Sequence, residues 1–253
     1  MKIHQLNGYI SSLYLVEYPS KLLLLDSGCP TDVDMVKEFI SCQLRRPLEQ
    51  LKLVVVTHMH PDHGGGAYYY QNRLKVPVAT MAMDSQWYRG VKGSLQHLID
   101  IFLTYYVARR SGKKWQPLWY PKNIYPDILL RDNQTLPGFE DWQVVSTPGH
   151  TDRDISLYHV DSRVIYLADV MIKVKNQFRS PIPVTLPGVY QRTLEYLAQL
   201  NPQEVLMAHG GRCQVTREVF LEVSKMGYMS PKEYEVLLNM VKGYLRKLLA
   251  NKN

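Results

Sequence analysis

The sequence predicts an α/β fold, and three observations predict it. Short apolar runs rich in Val and Leu recur along the chain and stop at a turn or a polar residue. Helical spacing fills the gap between some of these runs. Five of the eight histidines, at positions 58, 60, 63, 150 and 209, stand directly after such runs. Side chains that end strands gather at one edge of a sheet, which is where α/β folds build their sites.

The elements follow in order. "YISSLYLVEY" alternates, as a half-buried strand does, and "KLLLLDSG" is an apolar run ending at a turn. "TDVDMVKEFISCQL" has helical spacing, with Thr31 or Asp32 as N-cap and Pro47 as breaker. "LKLVVVT" is a short β-branched run without alternation, the pattern of a strand covered on both faces. "VPVATMA" is another strand. From about 84 to 125 the character changes. Leu95, Leu98, Ile99, Phe102 and Tyr106 make an amphipathic helical pattern. Aromatic and basic residues crowd the same stretch, and Asp100 is the only acid between 89 and 122. This is expected to be a helical lid inserted in a single domain spanning 1–253. "WQVVSTPGH", "ISLYHV", "RVIYLADV" and "EVLMAHG" restore the strand pattern. Two helices close the chain, the second capped by Ser230, Pro231 and Glu233.

Composition excludes little. Hydrophobic content of 45% and charged content of 21% suit a globular chain of 253 residues. The net charge of +7 admits an anionic substrate, a nucleic acid or a membrane surface and proves none. Cys29, Cys42 and Cys213 are too widely spaced for a zinc knuckle and odd in number, so no disulfide framework is expected. Cys29 and Cys42 read as small packed groups. Cys213 lies close behind His209. No secretion signal or membrane span is read from the sequence, so the cytoplasm is the expected compartment.

The chemistry concentrates in "THMHPDHGGG". Alternate residues of an extended segment point the same way, so His58 and His60 can converge on one ion. Pro61 turns the chain, and Asp62 and His63 reach a second point. Gly64, Gly65 and Gly66 let the backbone come close. Imidazole and carboxylate without thiolate suit zinc, iron or manganese. His150 after a Pro-Gly turn, Asp169 at a strand end and His209 before two glycines complete a ligand set. His4, His97 and His159 lack partner motifs and read as structural, and Asp152 and Asp154 read as turn caps.

"THMHPDH" resembles the HxHxDH signature of the metallo-β-lactamase superfamily, and His150, Asp169 and His209 match its later motifs in order. The resemblance runs from "LLLLDSG" to "MAHGG" and implies a four-layer αβ/βα sandwich with a binuclear site. It implies that His58, His60 and His150 hold one metal, that Asp62, His63 and His209 hold the other, and that Asp169 bridges them. Asp26 matches a position behind the ligands. The cofactor expected is two divalent ions, zinc by default, with iron or manganese fitting the same donors. A hydroxide shared between the ions would attack the substrate, with Asp62 as catalytic residue, orienting it or passing a proton.

Departures from subfamily patterns narrow the substrate. Asp169 stands where the best-known antibiotic-degrading class uses cysteine, and His60 where flavo-diiron reductases use glutamate. "AHGGRCQ" differs from the motif of RNA-processing members such as tRNase Z. The glyoxalase-II-like and lactonase-like branch remains, which implies hydrolysis of a small-molecule thioester, ester or lactone. A phosphodiesterase or nuclease is the alternative, because the basic aromatic lid suits phosphate and stacked bases. A non-enzymatic module on a retired fold is a third. Phe178 and Arg179 are expected near the mouth of the site. The oligomeric state stays open, a homodimer included.

Overall fold

Two six-stranded sheets lie face to face, each covered outside by helices. The computed structural model describes residues 1–230. The expected cap at Ser230, Pro231 and Glu233 concerns a helix outside them. The first sheet contains β1 (Lys2–Asn7), β2 (Ser12–Glu17), β3 (Leu22–Leu25), β4 (Leu51–Val56), β5 (Val78–Met81) and β6 (Ile128–Leu130), in that spatial order. Its first three strands are antiparallel, and β3 to β6 run parallel. The second sheet draws on β7 (Thr135–Leu136), β8 (Phe139–Ser146), β9 (Ile155–His159) and β10 (Val164–Ala168). A small hairpin, β11 (Ile172–Val174) and β12 (Gln177–Arg179), stands apart, and β13 (Glu204–Met207) and β14 (Gly211–Cys213) finish the second sheet. Its order is β14-β13-β10-β9-β8-β7.

The layers follow from the period of two along each strand. Leu22 and Leu24 of β3, with Val54 and Val56 of β4, face the outer helices α1 (Asp32–Glu38) and α3 (Ala67–Asn72). Leu23 and Leu25, with Leu53 and Val55, face the other sheet. There they meet Val144, Leu157, Tyr166 and Leu206. Ile165 and Val205 point the opposite way, onto α5 (Pro187–Leu200) and α6 (Arg217–Met226). The result is the expected four-layer αβ/βα sandwich. β2 and β9 were expected to alternate. Instead Leu13 to Val16 and all of Ile155–His159 are buried, because these strands are covered on both faces.

Trp142 is the largest fully buried side chain between the sheets. Its indole N–H donates to the Tyr18 hydroxyl at 3.0 Å, and His159 meets its ring edge-on. Trp142→Ala should cost about 3–5 kcal/mol of stability, read as a lower denaturation midpoint. An unchanged midpoint would show that the inter-sheet core does not depend on it.

Two local expectations give way. Thr31 precedes α1 but makes no side-chain cap bond. Asp32 reaches backwards and accepts the N–H of Tyr9 at 2.7 Å and of Cys29 at 2.8 Å, pinning two loops together. Cys42 is exposed rather than packed, while Cys29 is buried. A further helix, α4 (Gly90–Arg110), occupies the segment between β5 and β6. Of its amphipathic pattern, Leu95, Leu98 and Phe102 face solvent, while Gly93, His97, Asp100, Ile101, Thr104 and Ala108 are buried.

Candidate metal centre

Parallel strands deliver the site residues to one end of the sandwich. His58 follows β4 by two residues, after Thr57, and Asp169 follows β10 directly. His209 follows β13, and His150 lies on the loop after β8. Two strained residues aim this edge. Asp26, just past β3, has φ of 62°, and Ala168, just before Asp169, has φ of 48°. The pairing of β10 with β13 shifts register between Tyr166 and Ala168, which turns Asp169 inward. The short helix α2 (Pro61–Gly64) carries Asp62 and His63. Behind it, Gly66 is required by contact: a Cβ there would stand 2.4 Å from the Ser27 carbonyl oxygen. The glycines therefore serve close backbone approach.

All seven expected site residues come together, in two groups. His58, His60, His150 and Asp169 form one, and Asp62, His63 and His209 the other. Within each group the donor atoms lie within 4.8 Å of one another. His60 Nδ1 is 3.1 Å from His58 Nε2 and 3.0 Å from His150 Nε2. Two donors on a tetrahedral ion with bonds of ~2.0–2.1 Å stand ~3.3 Å apart, close to this spacing. Asp62 Oδ2 is 3.0 Å from His209 Nε2 and 3.5 Å from His63 Nε2. Asp169 faces both groups. Its Oδ1 lies 3.3 Å from His63 Nε2 and 3.5 Å from His209 Nε2, and its Oδ2 lies 3.9 Å from His150 Nε2.

Three of the remaining ring nitrogens, those of His58, His63 and His150, are anchored from behind, which fixes which nitrogen faces inward. His63 Nδ1 donates to Asp26 at 2.7 Å, and His150 Nδ1 donates to the Pro183 carbonyl at 2.6 Å. Asp26 also accepts from the Thr57 N–H at 2.7 Å, the Thr57 hydroxyl and the Tyr166 hydroxyl at 2.5 Å. His58 Nδ1 lies 3.2 Å from the Thr57 hydroxyl. Asp154 accepts the Thr151 N–H and hydroxyl, the turn-capping role expected of it.

Electrostatics set this cluster apart from an ordinary polar core. Burial and the neighbouring imidazoles hold His58 well below its usual range. Burial and His150 push His60 down to about 3. Both therefore present neutral lone pairs. Burial opposes a charge on His63, yet Asp62, Asp169 and Asp26 outweigh it and raise the group. His209 behaves alike: burial opposes its charge, but Asp169 and Asp62 bring it up to about 9. Asp62 and Asp169 are resisted by burial and held below the carboxylate range by these same histidines. His60 Nε2, Asp62 Oδ2, His63 Nε2 and Asp169 Oδ1 are buried and make no hydrogen bond. Buried polar atoms without partners are costly unless something binds them. A donor set of imidazole and carboxylate, converging and unsatisfied, fits divalent cations.

A cavity of about 350 Å³ opens onto both groups, lined by His60, Asp62, Asp169 and His209. Its other walls are largely apolar: Ile10, Leu103, Val107, Ile172 and Ile182 among them. Among the described residues no lysine or arginine lines it. Phe178 and Arg179 do not line it either; the paired strand β11 supplies Ile172 and Val174 instead. Cys213 pairs across from Val205, and burial raises its thiol, as suits a packed side chain. Asp100 is a residue the motif reading missed. It enters from α4, takes hydrogen bonds from the Tyr88 hydroxyl and the Gln96 amide at 2.8 Å each, and sets Oδ2 3.9 Å from His60 Nε2. Its signal in the sequence was its isolation among bases.

A family model described as the metallo-β-lactamase superfamily matches residues 6–209. The chain is 25% identical to the "Probable metallo-hydrolase YflN" of Bacillus subtilis over 82% of this chain and 83% of that protein. It is 25% identical to the human "Acyl-coenzyme A thioesterase MBLAC2" over 50% of this chain and 42% of that one. Its fold is similar to that of the metallo-β-lactamase family protein TTHA1429 from Thermus thermophilus. The TM-score there is 0.65 at 20% identity, covering 90% of this chain and 79% of that one. With the site geometry and the four layers in agreement, the chain belongs to the metallo-β-lactamase superfamily.

Proposed function

We propose that this metallo-hydrolase cleaves a small-molecule thioester, ester or lactone, in the manner of the glyoxalase-II-like and lactonase-like branch. We take it as one cytoplasmic domain in which residues from about 84 to 125 form the lid. The observation that carries the reading is one carboxylate, Asp169, facing two donor groups at the floor of an apolar cavity free of lysine and arginine. His58, His60 and His150 would hold one ion and Asp62, His63 and His209 the other, with Asp169 between them. Zinc is the default, and iron or manganese suit the same donors. Two such ions would supply hydroxide at neutral pH and polarise the scissile carbonyl.

The chain's own residues do the rest. Asp62, buried beside His209, orients the attacking water and takes its proton at a carboxylate oxygen. Ile10, Leu103, Val107 and Ile172 exclude water and receive an acyl or other apolar group. The thioesterase activity named for the human relative agrees with such a substrate. A nucleic acid or nucleotide would want basic side chains along the cavity walls as well as metal at its floor. The lid's lysines and arginines do not line the cavity, which favours the carboxyl substrate over the phosphodiesterase alternative.

The test is a hydrolysis panel on metal-reconstituted protein: an acyl-homoserine lactone, a glutathione thioester, an acyl-coenzyme A, a simple ester and an activated phosphodiester. Chelator-sensitive turnover of the carboxyl substrates is expected. Turnover of the phosphodiester alone would overturn the reading.

Metal uptake should depend on pH in a definite direction. In the metal-free protein the carboxylates raise His63 and His209, the latter to about 9, so both hold protons near neutrality. A metal must displace those protons, so apparent affinity should rise with pH through neutrality and level off only near the His209 value of about 9, with protons released on binding. Calorimetry in buffers of different ionisation enthalpy reads the release. Binding without proton release would contradict the assigned protonation.

Asp26 holds His63 from behind, so Asp26→Asn should lower metal affinity by about 10–100-fold while keeping the fold. Competition with a chromogenic chelator measures this, and wild-type affinity would remove Asp26 from the site.

A further inference from the structure

Helix α4 turns its longest apolar stripe outward. Its buried side carries Gly93, His97, Asp100, Ile101, Thr104 and Ala108, while Val91, Leu95, Leu98 and Phe102 form one stripe facing solvent. Their spacing of four, three and four residues keeps them on a single helical face. Their exposures are 87%, 59%, 51% and 53%. Trp119, at 66% exposure, rests against the buried His97, and Trp115, at 72%, stacks on Tyr105. Scattered exposed apolar residues need no explanation, but a continuous stripe on a helix whose following loop exposes two tryptophans does.

The exposed charges within residues 85–126 are of one sign. Arg89, Lys92, Arg109, Arg110, Lys113 and Lys114 are all exposed. Between residues 85 and 126 the only acid is Asp100, which is buried beneath the helix. A second copy of this chain docking stripe to stripe would set these bases against each other at close range. An anionic surface would be matched. An apolar stripe with lysine and arginine at its margins and tryptophan beside it is the pattern of a helix lying in a membrane interface. No helix among the described residues is long and apolar enough to cross a membrane, so such contact would be peripheral.

We propose that the outward face of α4 docks the protein on an anionic lipid surface. Leu103 and Val107 of the same helix line the cavity over the site. Docking would therefore bring the cavity mouth to the interface, where amphiphilic acyl substrates concentrate. That consequence for the substrate rests on the acyl-hydrolase reading; the docking itself does not.

The experiment is sedimentation of the full chain with vesicles of phosphatidylcholine alone or mixed with phosphatidylglycerol, at low and high salt. Binding to the mixed vesicles is expected, weakening as salt rises. Leu98→Ser with Phe102→Ser, and separately Lys92→Glu with Arg109→Glu, should each weaken it by roughly tenfold or more. These side chains point away from the core, and thermal melts check that the variants stay folded. Brominated lipid offers a reading on the wild type alone: the exposed tryptophans should be quenched. Wild-type protein left in the supernatant, tryptophans left unquenched, or a Leu98/Phe102 variant that sediments undiminished would each overturn the proposal. The last result would move the contact elsewhere, for instance to residues 231–253. A dimer that the same variant splits into monomers would assign the stripe to a second copy and overturn it too.

Discussion

Asp169→Ala should empty both metal positions together and abolish turnover. One carboxylate faces two donor groups, with Oδ1 within 3.3–3.5 Å of His63 and His209 and Oδ2 3.9 Å from His150. Removing it would leave each donor group short of a ligand for the ion proposed there. It also takes one negative charge from beside the histidines that Asp169 holds up. Metal content by elemental analysis should fall well below one ion per chain after dialysis, and kcat/KM should drop by at least about a thousandfold. Stability of the metal-free protein should change less, since the lost group is itself resisted by burial. A variant that keeps one ion tightly would show that Asp169 serves a single position.

His60→Ala tests the other group separately. His60 Nδ1 is the atom that both His58 Nε2 and His150 Nε2 approach, at 3.1 and 3.0 Å. Without it two imidazoles remain there with only a share of the Asp169 carboxylate, which also faces the other group, so the ion should be held much more weakly. The expected result is loss of one ion per chain and of activity by about a hundredfold or more, with Asp62, His63 and His209 still able to bind. Wild-type turnover in this variant would end the binuclear reading. The pair of variants is informative together: Asp169→Ala should lower both occupancies, and His60→Ala mainly one.

The legible parts of this molecule were those written locally. His58, His60, Asp62 and His63 fall within six residues, and strand and turn geometry alone brings them together. His150, Asp169 and His209 were legible because each ends a strand, and parallel strands share an edge. The four layers were expected from the family resemblance, and the structure gives their physical basis in Leu22 to Leu25, whose alternate side chains serve two opposite faces. The helix at 90–110 was found by its period, but its orientation was not. Periodicity marks a stripe without saying which side meets the core, and here the buried side is the one that brings Asp100 and Thr104 to the cavity and packs His97 against Tyr88 and Tyr120. The cavity walls were illegible for another reason. Ile10, Leu103, Ile172 and Ile182 come from four distant segments and carry no motif. Phe178 and Arg179 were placed by proximity in sequence to Asp169, but the side chains that line the cavity come from the paired strand and the loop beyond.

The central claim is that two divalent ions, held by these seven residues, drive hydrolysis of a carboxyl ester, thioester or lactone. The most direct measurement titrates chelator-stripped protein with zinc, and in parallel with iron and manganese, while following turnover of the best substrate from the panel. The account predicts no turnover without metal and a rise that levels off at two equivalents per chain, one for each donor group. Full turnover in the stripped protein, or a rise complete at one equivalent, would contradict it.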